Sequence, residues 1–97
     1  MTSRVVTIGA AQLGPIARDE PRSQVVTRLI ALLHQAHDAG CRLVVYPELA
    51  LTTFFPRWYI EDQAEVDTFY ETEMPGQDTR PLFDEAARLG IGFCLGY

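Results

Sequence analysis

Apolar residues are concentrated in three short runs, at residues 4–11, 43–46 and 91–97. Runs of this length that are rich in β-branched residues are typical of strands, and strands that are apolar on both faces are typical of buried parallel sheets. Apolar residues recur at helical spacing in the segments between these runs. The pattern therefore predicts an α/β fold with the order β-α-β-α-β, in which the first strand is a central one.

The first helix is predicted from Asp19, a residue type that favours the N-cap, to about residue 39. Pro21 suits the first turn, where a missing N–H costs nothing. Gly40 suits the left-handed conformation that ends many helices. The apolar stripe of this helix consists of Val26, Leu29, Ile30 and Leu33. Such a stripe predicts one buried helix face.

The second helix is predicted over residues 79–89, with Gly90 as its end. Its inward residues are predicted to be Leu82, Phe83, Ala86 and Ala87. Before this helix, residues 61–73 carry six acidic side chains. The apolar residues of that segment are Val66, Phe69 and Tyr70. The spacing predicts a short helix or turn with a solvated acidic face.

The length of 97 residues and the hydrophobic content of 47% fit one small globular domain. The formal net charge of −5 argues against a nucleic-acid partner or an anionic membrane surface. No apolar run is long enough to span a bilayer or to form the core of a signal peptide. We therefore expect a cytoplasmic protein.

Two pairs of potential nucleophiles or metal ligands have simpler explanations. Cys41 and Cys94 lie in or beside apolar segments without a neighbouring cation, which is typical of reduced, buried cysteines. His34 and His37 are three residues apart on the first predicted helix, but no carboxylate or cysteine at a suitable offset completes a ligand set. We therefore predict no metal site and no catalytic cysteine, and we expect the histidines to serve in packing and capping.

Glu48 is the candidate catalytic residue because it follows the second predicted strand directly. Pro47 ends that strand, since proline has no N–H for the sheet ladder. In open α/β sheets, ligands bind at the carboxyl ends of the strands. The residues after Glu48 are mostly apolar and should enclose its carboxyl group, which would disfavour the ionised form and suit a general base. The alternative is a carboxylate that only caps a backbone amide.

The loop after Glu48 contains the candidate substrate-binding residues Phe54, Phe55 and Trp58. Aromatic side chains this close to a candidate catalytic carboxylate can line a pocket, and they can equally fill the core. Arg57 lies among them. It can pair with a substrate carboxylate or with an internal acid, and the sequence leaves both possibilities open.

From residue 46 to residue 58 the sequence resembles the nitrilase, or carbon–nitrogen hydrolase, superfamily, in which a strand that ends in Pro-Glu carries a catalytic glutamate. Within the superfamily, the chain looks most like the N-carbamoyl-D-amino acid amidohydrolases. The blocks that carry this narrower resemblance are residues 14–18, 52–58, 69–76, 80–83 and 90–93. Together they cover essentially the whole chain in register.

The resemblance implies a four-layer α-β-β-α sandwich and a cofactor-free mechanism with a glutamate base, an oxyanion-stabilising lysine and a cysteine nucleophile. Glu48 matches the glutamate. All eight basic residues are arginine, and Cys94 lacks the sequence context of the nucleophile. The lysine and the cysteine are therefore expected beyond Tyr97. On this interpretation residues 1–97 are the N-terminal portion of the domain, truncated after its third strand.

The activity that the resemblance implies is hydrolysis of N-carbamoyl-D-amino acids to the D-amino acid, ammonia and carbon dioxide by a homo-oligomer. The isolated chain is expected to be inactive, because it carries only the glutamate of the mechanism. Two alternatives stay open. One is a non-catalytic fragment or interaction module that oligomerises through its exposed strand edge. The other is a different nitrilase-type enzyme, such as an amidase or a ureidopropionase.

Overall fold

A computed structural model describes residues 3–97 of the chain. The strands are β1 (Ile8–Ala10), β2 (Leu43–Val45) and β3 (Gly92–Cys94). The helices are α1 (Arg22–Asp38), α2 (Gln63–Asp67) and α3 (Arg80–Leu89), and a 3-10 turn at Phe55–Arg57 precedes α2. The predicted α/β class and the β-α-β-α-β order are confirmed, and α2 takes the place of the predicted short helix or turn.

The three strands form one parallel sheet in the order β1-β2-β3, so β2 is the central strand. Each strand has three residues and is shorter than the apolar run that predicted it. The prediction that the first strand is central is wrong. Within residues 3–97, β1 pairs only with β2, and Val5 and Ile8 are 89% and 57% exposed.

Helix α1 begins later than the sequence predicts. Asp19 belongs to a turn in which the Glu20 N–H donates to the Ala17 carbonyl (3.1 Å). The N-cap is Pro21, whose φ of −65° and ψ of 146° are extended, and no side chain caps the helix. The sequence predicted Asp19 as the N-cap and Pro21 as a first-turn residue, and this prediction is wrong. Asp19 forms part of the preceding turn, so the helix begins only after Pro21.

Glycines end both long helices, as the sequence predicts. Gly40 follows α1 with a φ of +84°, and Gly90 caps α3 with a φ of +67°. Residues with a Cβ rarely adopt this left-handed backbone, so glycine stops each helix at little energetic cost.

The core lies between the sheet and the two long helices. Helices α1 and α3 contact each other, and their buried residues form one cluster with the central strand. Val44 of β2 is fully buried in that cluster together with Leu29 and Leu33 of α1 and Leu82 of α3. Burial of each such side chain stabilises the fold by about 1.5–3 kcal/mol. This packing fixes the position at which β2 ends.

Helix α3 presents most of its predicted inward residues to the core. Leu82 and Ala86 are buried, and Phe83 is half-buried with its ring 5.0 Å from that of Phe93 in β3. Ala87 is exposed, so that part of the prediction is wrong. Ala87 lies one helical turn after Phe83 on the edge of the buried stripe, where the large Phe83 ring still contacts Phe93 but a single methyl group leaves the position exposed.

The opposite face of the sheet is uncovered in the described part of the chain. The register places two rows of residues across it, namely Ile8, Leu43 and Gly92, and Ala10, Val45 and Cys94. Val45 is 41% exposed, and Cys94 is also exposed, whereas Cys41 is buried as predicted. The prediction that Cys94 is buried is wrong, because its side chain lies on this face. The two rows are called the open sheet face below.

The acidic segment at residues 61–73 is only partly a solvated surface. The Asp62 side chain caps α2 by accepting from the Ala64 N–H (3.0 Å). Two of its acids pair with arginines that lie before or at the start of α1: Arg18 with Glu65, and Arg22 with Glu71. These ion pairs connect the acidic segment to the N-terminal end of α1.

Candidate functional site

The Glu48 turn, residues 46–50, joins β2 to the aromatic loop. Backbone hydrogen bonds to the end of the chain hold it at both ends. The Tyr46 N–H donates to the Cys94 carbonyl (3.0 Å), and the Ala50 N–H donates to the Gly96 carbonyl (2.9 Å). Pro47 lies between these bonds, at a place where no N–H is needed. Glu48 is thereby held at the carboxyl end of the central strand.

Gly96 allows the chain to approach the Glu48 turn closely, and the pattern of apolar residues did not reveal this role. A Cβ at this position would lie 3.2 Å from the Glu48 Cα and 3.3 Å from the Pro47 carbonyl oxygen. Both are backbone atoms that cannot move aside independently. The available signal was the glycine itself, because a glycine within a strand pattern often marks a close backbone approach.

Tyr46 ties the Glu48 turn to the core. Its buried ring lies edge-on to Phe93 (6.0 Å between centroids), and its hydroxyl donates to the Leu29 carbonyl of α1 (2.8 Å). Burial raises the pKa of Tyr46 to about 12. The hydroxyl therefore keeps its proton at neutral pH and anchors the end of β2 to α1.

A pocket of about 370 Å³ opens beside the Glu48 turn, which is within the size range of small-molecule sites. One wall is formed by residues 13–18, in the loop between β1 and α1. The other wall is formed by the Glu48 turn and the loop that follows it. Glu48, Phe54 and Trp58 all line this pocket, so the structure brings three of the four predicted site residues together.

Glu48 is exposed in this pocket, which differs from the expected apolar enclosure. Leu51 and Phe55 are only 2% and 9% exposed, because they pack into the interior. Phe54 and Trp58 do line the pocket, but they are 44% and 37% exposed and leave it open to water. The predicted enclosure of the carboxyl group is therefore absent in the described part of the chain.

Phe55 is the predicted substrate contact that the structure does not bring to the pocket. Its ring stacks on Phe69 (4.8 Å, 7° between planes) and lies edge-on to Tyr70 (5.5 Å). This packing connects the 3-10 turn to the segment after α2. Phe54 and Trp58 are the two members of the predicted set that a ligand in the pocket could reach.

Arg28 holds the first wall of the pocket. From α1, its guanidinium donates to the carbonyls of Leu13 (2.8 Å) and Pro15 (3.0 Å) and to both carboxylate oxygens of Glu20 (3.1 and 2.9 Å). The hydrogen bond from Arg28 lowers the pKa of the Glu20 carboxyl below its usual value. The sequence shows Arg28 only as a polar helix position, because all of these partners lie outside the helix.

Two guanidinium groups lie against the Trp58 ring. The Cζ atoms of Arg18 and Arg57 are 5.0 and 5.6 Å from its centroid. Such cation–π contacts stabilise exposed sites by about 0.5–1 kcal/mol. Both arginines line the pocket together with Glu48. The pocket therefore combines one carboxylate, an aromatic surface and two cationic groups.

The residues that the structure describes include no cluster of three or more His, Cys, Asp or Glu side chains that could hold a metal ion. His34 and His37 are exposed, so neither packs in the core. His34 Nε2 lies 3.0 Å from a carboxylate oxygen of Glu85, and His37 lies in the last turn of α1. No helix within residues 3–97 has the length and apolar character needed to cross a membrane.

A carboxylate at the carboxyl end of a central parallel strand, in a pocket formed by the loops after two neighbouring strands, is an arrangement typical of α/β enzymes. Residues 7–97 match the carbon-nitrogen hydrolase family. The chain belongs to this family of hydrolases, which confirms the resemblance at the level of the superfamily. The match includes Glu48 and every strand and helix described above.

Proposed function

We propose that the protein hydrolyses N-carbamoyl-D-amino acids to the D-amino acid, ammonia and carbon dioxide, with Glu48 as the general base. The family match supports the reaction class. The observation that carries the role of Glu48 is its place in the pocket, on a turn that backbone bonds hold at both ends. The choice of N-carbamoyl-D-amino acids as substrates rests on the sequence resemblance, chiefly at residues 52–58 and 69–76.

The chemistry proposed for Glu48 is proton transfer. Its carboxylate takes the proton of a cysteine thiol, the thiolate attacks the carbamoyl carbon, and a lysine stabilises the oxyanion. The proton then passes to the departing nitrogen, and water releases the carbamoyl group from the sulfur. Residues 1–97 contain no lysine, and neither of their two cysteines, Cys41 and Cys94, lines the Glu48 pocket. We therefore propose that the lysine and the nucleophile come from outside this segment, and that the segment alone is inactive.

The test is ammonia release from matched N-carbamoyl-D- and N-carbamoyl-L-amino acids, by the protein that contains this segment and by the 97-residue chain alone. We expect release from the D-substrates by the first and none by the second. Glu48→Gln should lower the rate about 10²- to 10⁴-fold, the usual contribution of a positioned general base. Glu73→Gln is the matched control, because Glu73 is exposed and does not line the pocket.

Each arm can contradict one part of the proposal. Full activity of Glu48→Gln would remove Glu48 from the mechanism. Ammonia release by the isolated chain would show that no outside lysine or cysteine is needed. Hydrolysis of aliphatic amides or of N-carbamoyl-β-alanine in preference to the D-substrates would indicate an amidase or a ureidopropionase instead.

We also propose that the protein is a homo-oligomer without a nucleic-acid or membrane partner. The net charge of −5 supports the second part. The exposed apolar residues of the open sheet face support the first, because such surfaces are often covered by a partner. A non-catalytic module would show self-association of this kind without any ammonia release by the protein that contains it.

A further inference from the structure

Arg57 is placed where it can meet a ligand of the Glu48 pocket. It is the last residue of the 3-10 turn, it is exposed, and it lines the pocket on the same side as Glu48. Its guanidinium lies over the ring of Trp58, the next residue, with Cζ 5.6 Å from the centroid. The ring therefore restricts the orientation of a side chain that would otherwise move freely in water.

Arg57 differs from Arg18, the other cationic residue of the pocket, in having no ion-pair partner within residues 3–97. Arg18 lies over the same ring, but its guanidinium is paired with the Glu65 carboxylate. Within residues 3–97, no carboxylate oxygen lies within 4.0 Å of the Arg57 guanidinium. This includes the Glu48 carboxylate, which lines the same pocket. Of the two pocket cations, Arg57 is thus the one whose charge is not neutralised by an ion pair.

Stacking on Trp58 does not use the hydrogen-bonding capacity of Arg57. A cation–π contact involves the face of the guanidinium, whereas its N–H groups point outward in the plane of the group. Two parallel N–H groups match the two oxygens of a carboxylate, which makes arginine the preferred residue for bidentate recognition of this anion. The pocket that holds the candidate base therefore also offers paired N–H donors for a ligand carboxylate.

We propose that Arg57 determines substrate specificity by binding a free carboxylate of the substrate while the C–N bond to be cleaved lies toward Glu48. This inference rests on the proposed function for the identity of that bond. Independently of that bond, the pocket selects anionic ureido compounds over neutral ones of similar size, because Arg57 binds the carboxylate. Arg57 takes no part in proton transfer, so it is a binding residue and not a catalytic one.

The test compares N-carbamoylglycine, which has a carboxylate, with propylurea, which is similar in size and neutral. Dissociation constants are measured by calorimetry on the 97-residue chain. Fluorescence of Trp58, the single tryptophan, reports whether each ligand binds in this pocket. The unaltered chain should bind N-carbamoylglycine about 10- to 100-fold more tightly, which is the usual effect of one hydrogen-bonded charge pair.

Three variants decide the assignment. Arg57→Gln should abolish the preference for the anion over propylurea, and Arg57→Lys should restore part of that preference. Arg88→Gln is the matched control, since Arg88 is an exposed arginine of α3 that pairs with Glu85 outside the pocket. Arg18→Gln tests the competing cation. The logarithm of the ratio of the two dissociation constants should remain at least half as large as in the unaltered chain.

Two results would overturn the inference. One is equal or absent binding of the two ligands by the unaltered chain. The other is a preference that survives in Arg57→Gln or disappears in Arg18→Gln instead. Binding requires no turnover, so these results are separate from the proposed reaction. A chain that binds the anion through Arg57 while the protein that contains it releases no ammonia would leave this inference standing and refute the proposed function.

Discussion

The backbone around Glu48 depends on two residues with unusual requirements. Leu49 adopts a left-handed conformation with a φ of +48°, which costs a residue other than glycine about 1–2 kcal/mol. Gly96 lies so close to the turn that a Cβ would contact the Glu48 and Pro47 backbone. The two backbone bonds made by Tyr46 and Ala50 offset this cost and keep the turn in one conformation.

Gly96→Ala should therefore destabilise the chain by about 1–3 kcal/mol, the usual cost of overpacking. The measurement is the midpoint of urea unfolding. Gly92→Ala is the matched control, because its Cβ would meet only the Leu43 side chain at 3.4 Å and the Arg42 carbonyl at 3.7 Å. It should change stability by less than about 0.5 kcal/mol. Equal effects of the two substitutions would show that the approach of Gly96 to the turn carries no strain.

Tyr46 makes stability depend on alkaline pH. Its pKa is raised to about 12 in the folded chain from a usual value of 10.0. The unfolded chain thus loses the Tyr46 proton first, so the stabilisation is complete below pH 10 and is lost as the pH rises toward 12. Tyr46→Phe should cost about 1 kcal/mol at neutral pH through loss of the bond to Leu29, and should weaken the alkaline dependence.

The measurement for Tyr46 is the free energy of unfolding between neutral pH and pH 12, the upper end set by its pKa. Tyr59→Phe serves as the control, since Tyr59 is 90% exposed and should change neither the stability nor its pH dependence. An alkaline profile of Tyr46→Phe that is identical to that of the unaltered chain would rule out this linkage.

At the scale of elements, helix α1 positions the first wall of the pocket. Four hydrogen bonds from Arg28 connect the helix to Leu13, Pro15 and Glu20. Two of these bonds satisfy backbone carbonyls of a loop that has no strand or helix of its own at residues 11–18. A single side chain thus couples the pocket wall to the core that α1 forms with the sheet.

Arg28→Gln should loosen this wall. We expect faster amide hydrogen exchange across residues 13–20 and little change in α3, because local opening requires loss of only these contacts. Exchange measured by mass spectrometry would show it. Arg42→Gln is the control, since no side-chain ion pair of Arg42 is present in the described part of the chain. Equal exchange in both variants would refute the role assigned to Arg28.

The same contact predicts a dependence on acidic pH. The pKa of Glu20 is lowered in the folded chain by the hydrogen bond from Arg28. The resulting stabilisation is present above the pKa of the unfolded chain and is lost as the pH falls through the lower, folded value. The exchange protection of residues 13–20 should therefore decrease below about pH 4.5 in the unaltered chain, and it should change less over that range in Arg28→Gln.

At the scale of the whole molecule, residues 3–97 cover the sheet with helices on one face only. Helices α1 and α3 share a core with one face of the sheet, and the open sheet face remains exposed. Exposed apolar residues of this kind favour association of the chain.

We expect the mass from light scattering to rise above that of a monomer as the concentration of the chain increases. Val45→Glu should suppress this rise, because it places a charge in the centre of the open sheet face. Tyr59→Glu, which adds the same charge at an exposed residue away from the sheet, should not. A constant monomer mass for the unaltered chain at all concentrations would contradict self-association through this face.

The elements were predictable wherever the signal is local. Helical spacing, the two helix-ending glycines and the Pro-Glu step at the end of β2 lie within a few residues of the structures that they specify. Predictions were wrong where the conformation or exposure of a residue depends on its surroundings in the fold and not on its own sequence pattern. Pro21 replaced Asp19 as the N-cap because of a preceding turn, β1 became an edge strand, and Cys94 was left exposed on a face that nothing in the described chain covers.

The sequence by itself determined the α/β class, the order of the elements, and a glutamate at the carboxyl end of the second strand, because each depends on neighbours along the chain. Only the tertiary structure decided the order of the strands in the sheet. Only the tertiary structure, likewise, placed Phe54 and Trp58 in the pocket and packed Phe55 against Phe69 instead. It also decided that Arg18 pairs with Glu65, whereas Arg57 has no carboxylate partner within residues 3–97. These features depend on contacts between residues far apart in sequence, and periodicity carries no information about such contacts.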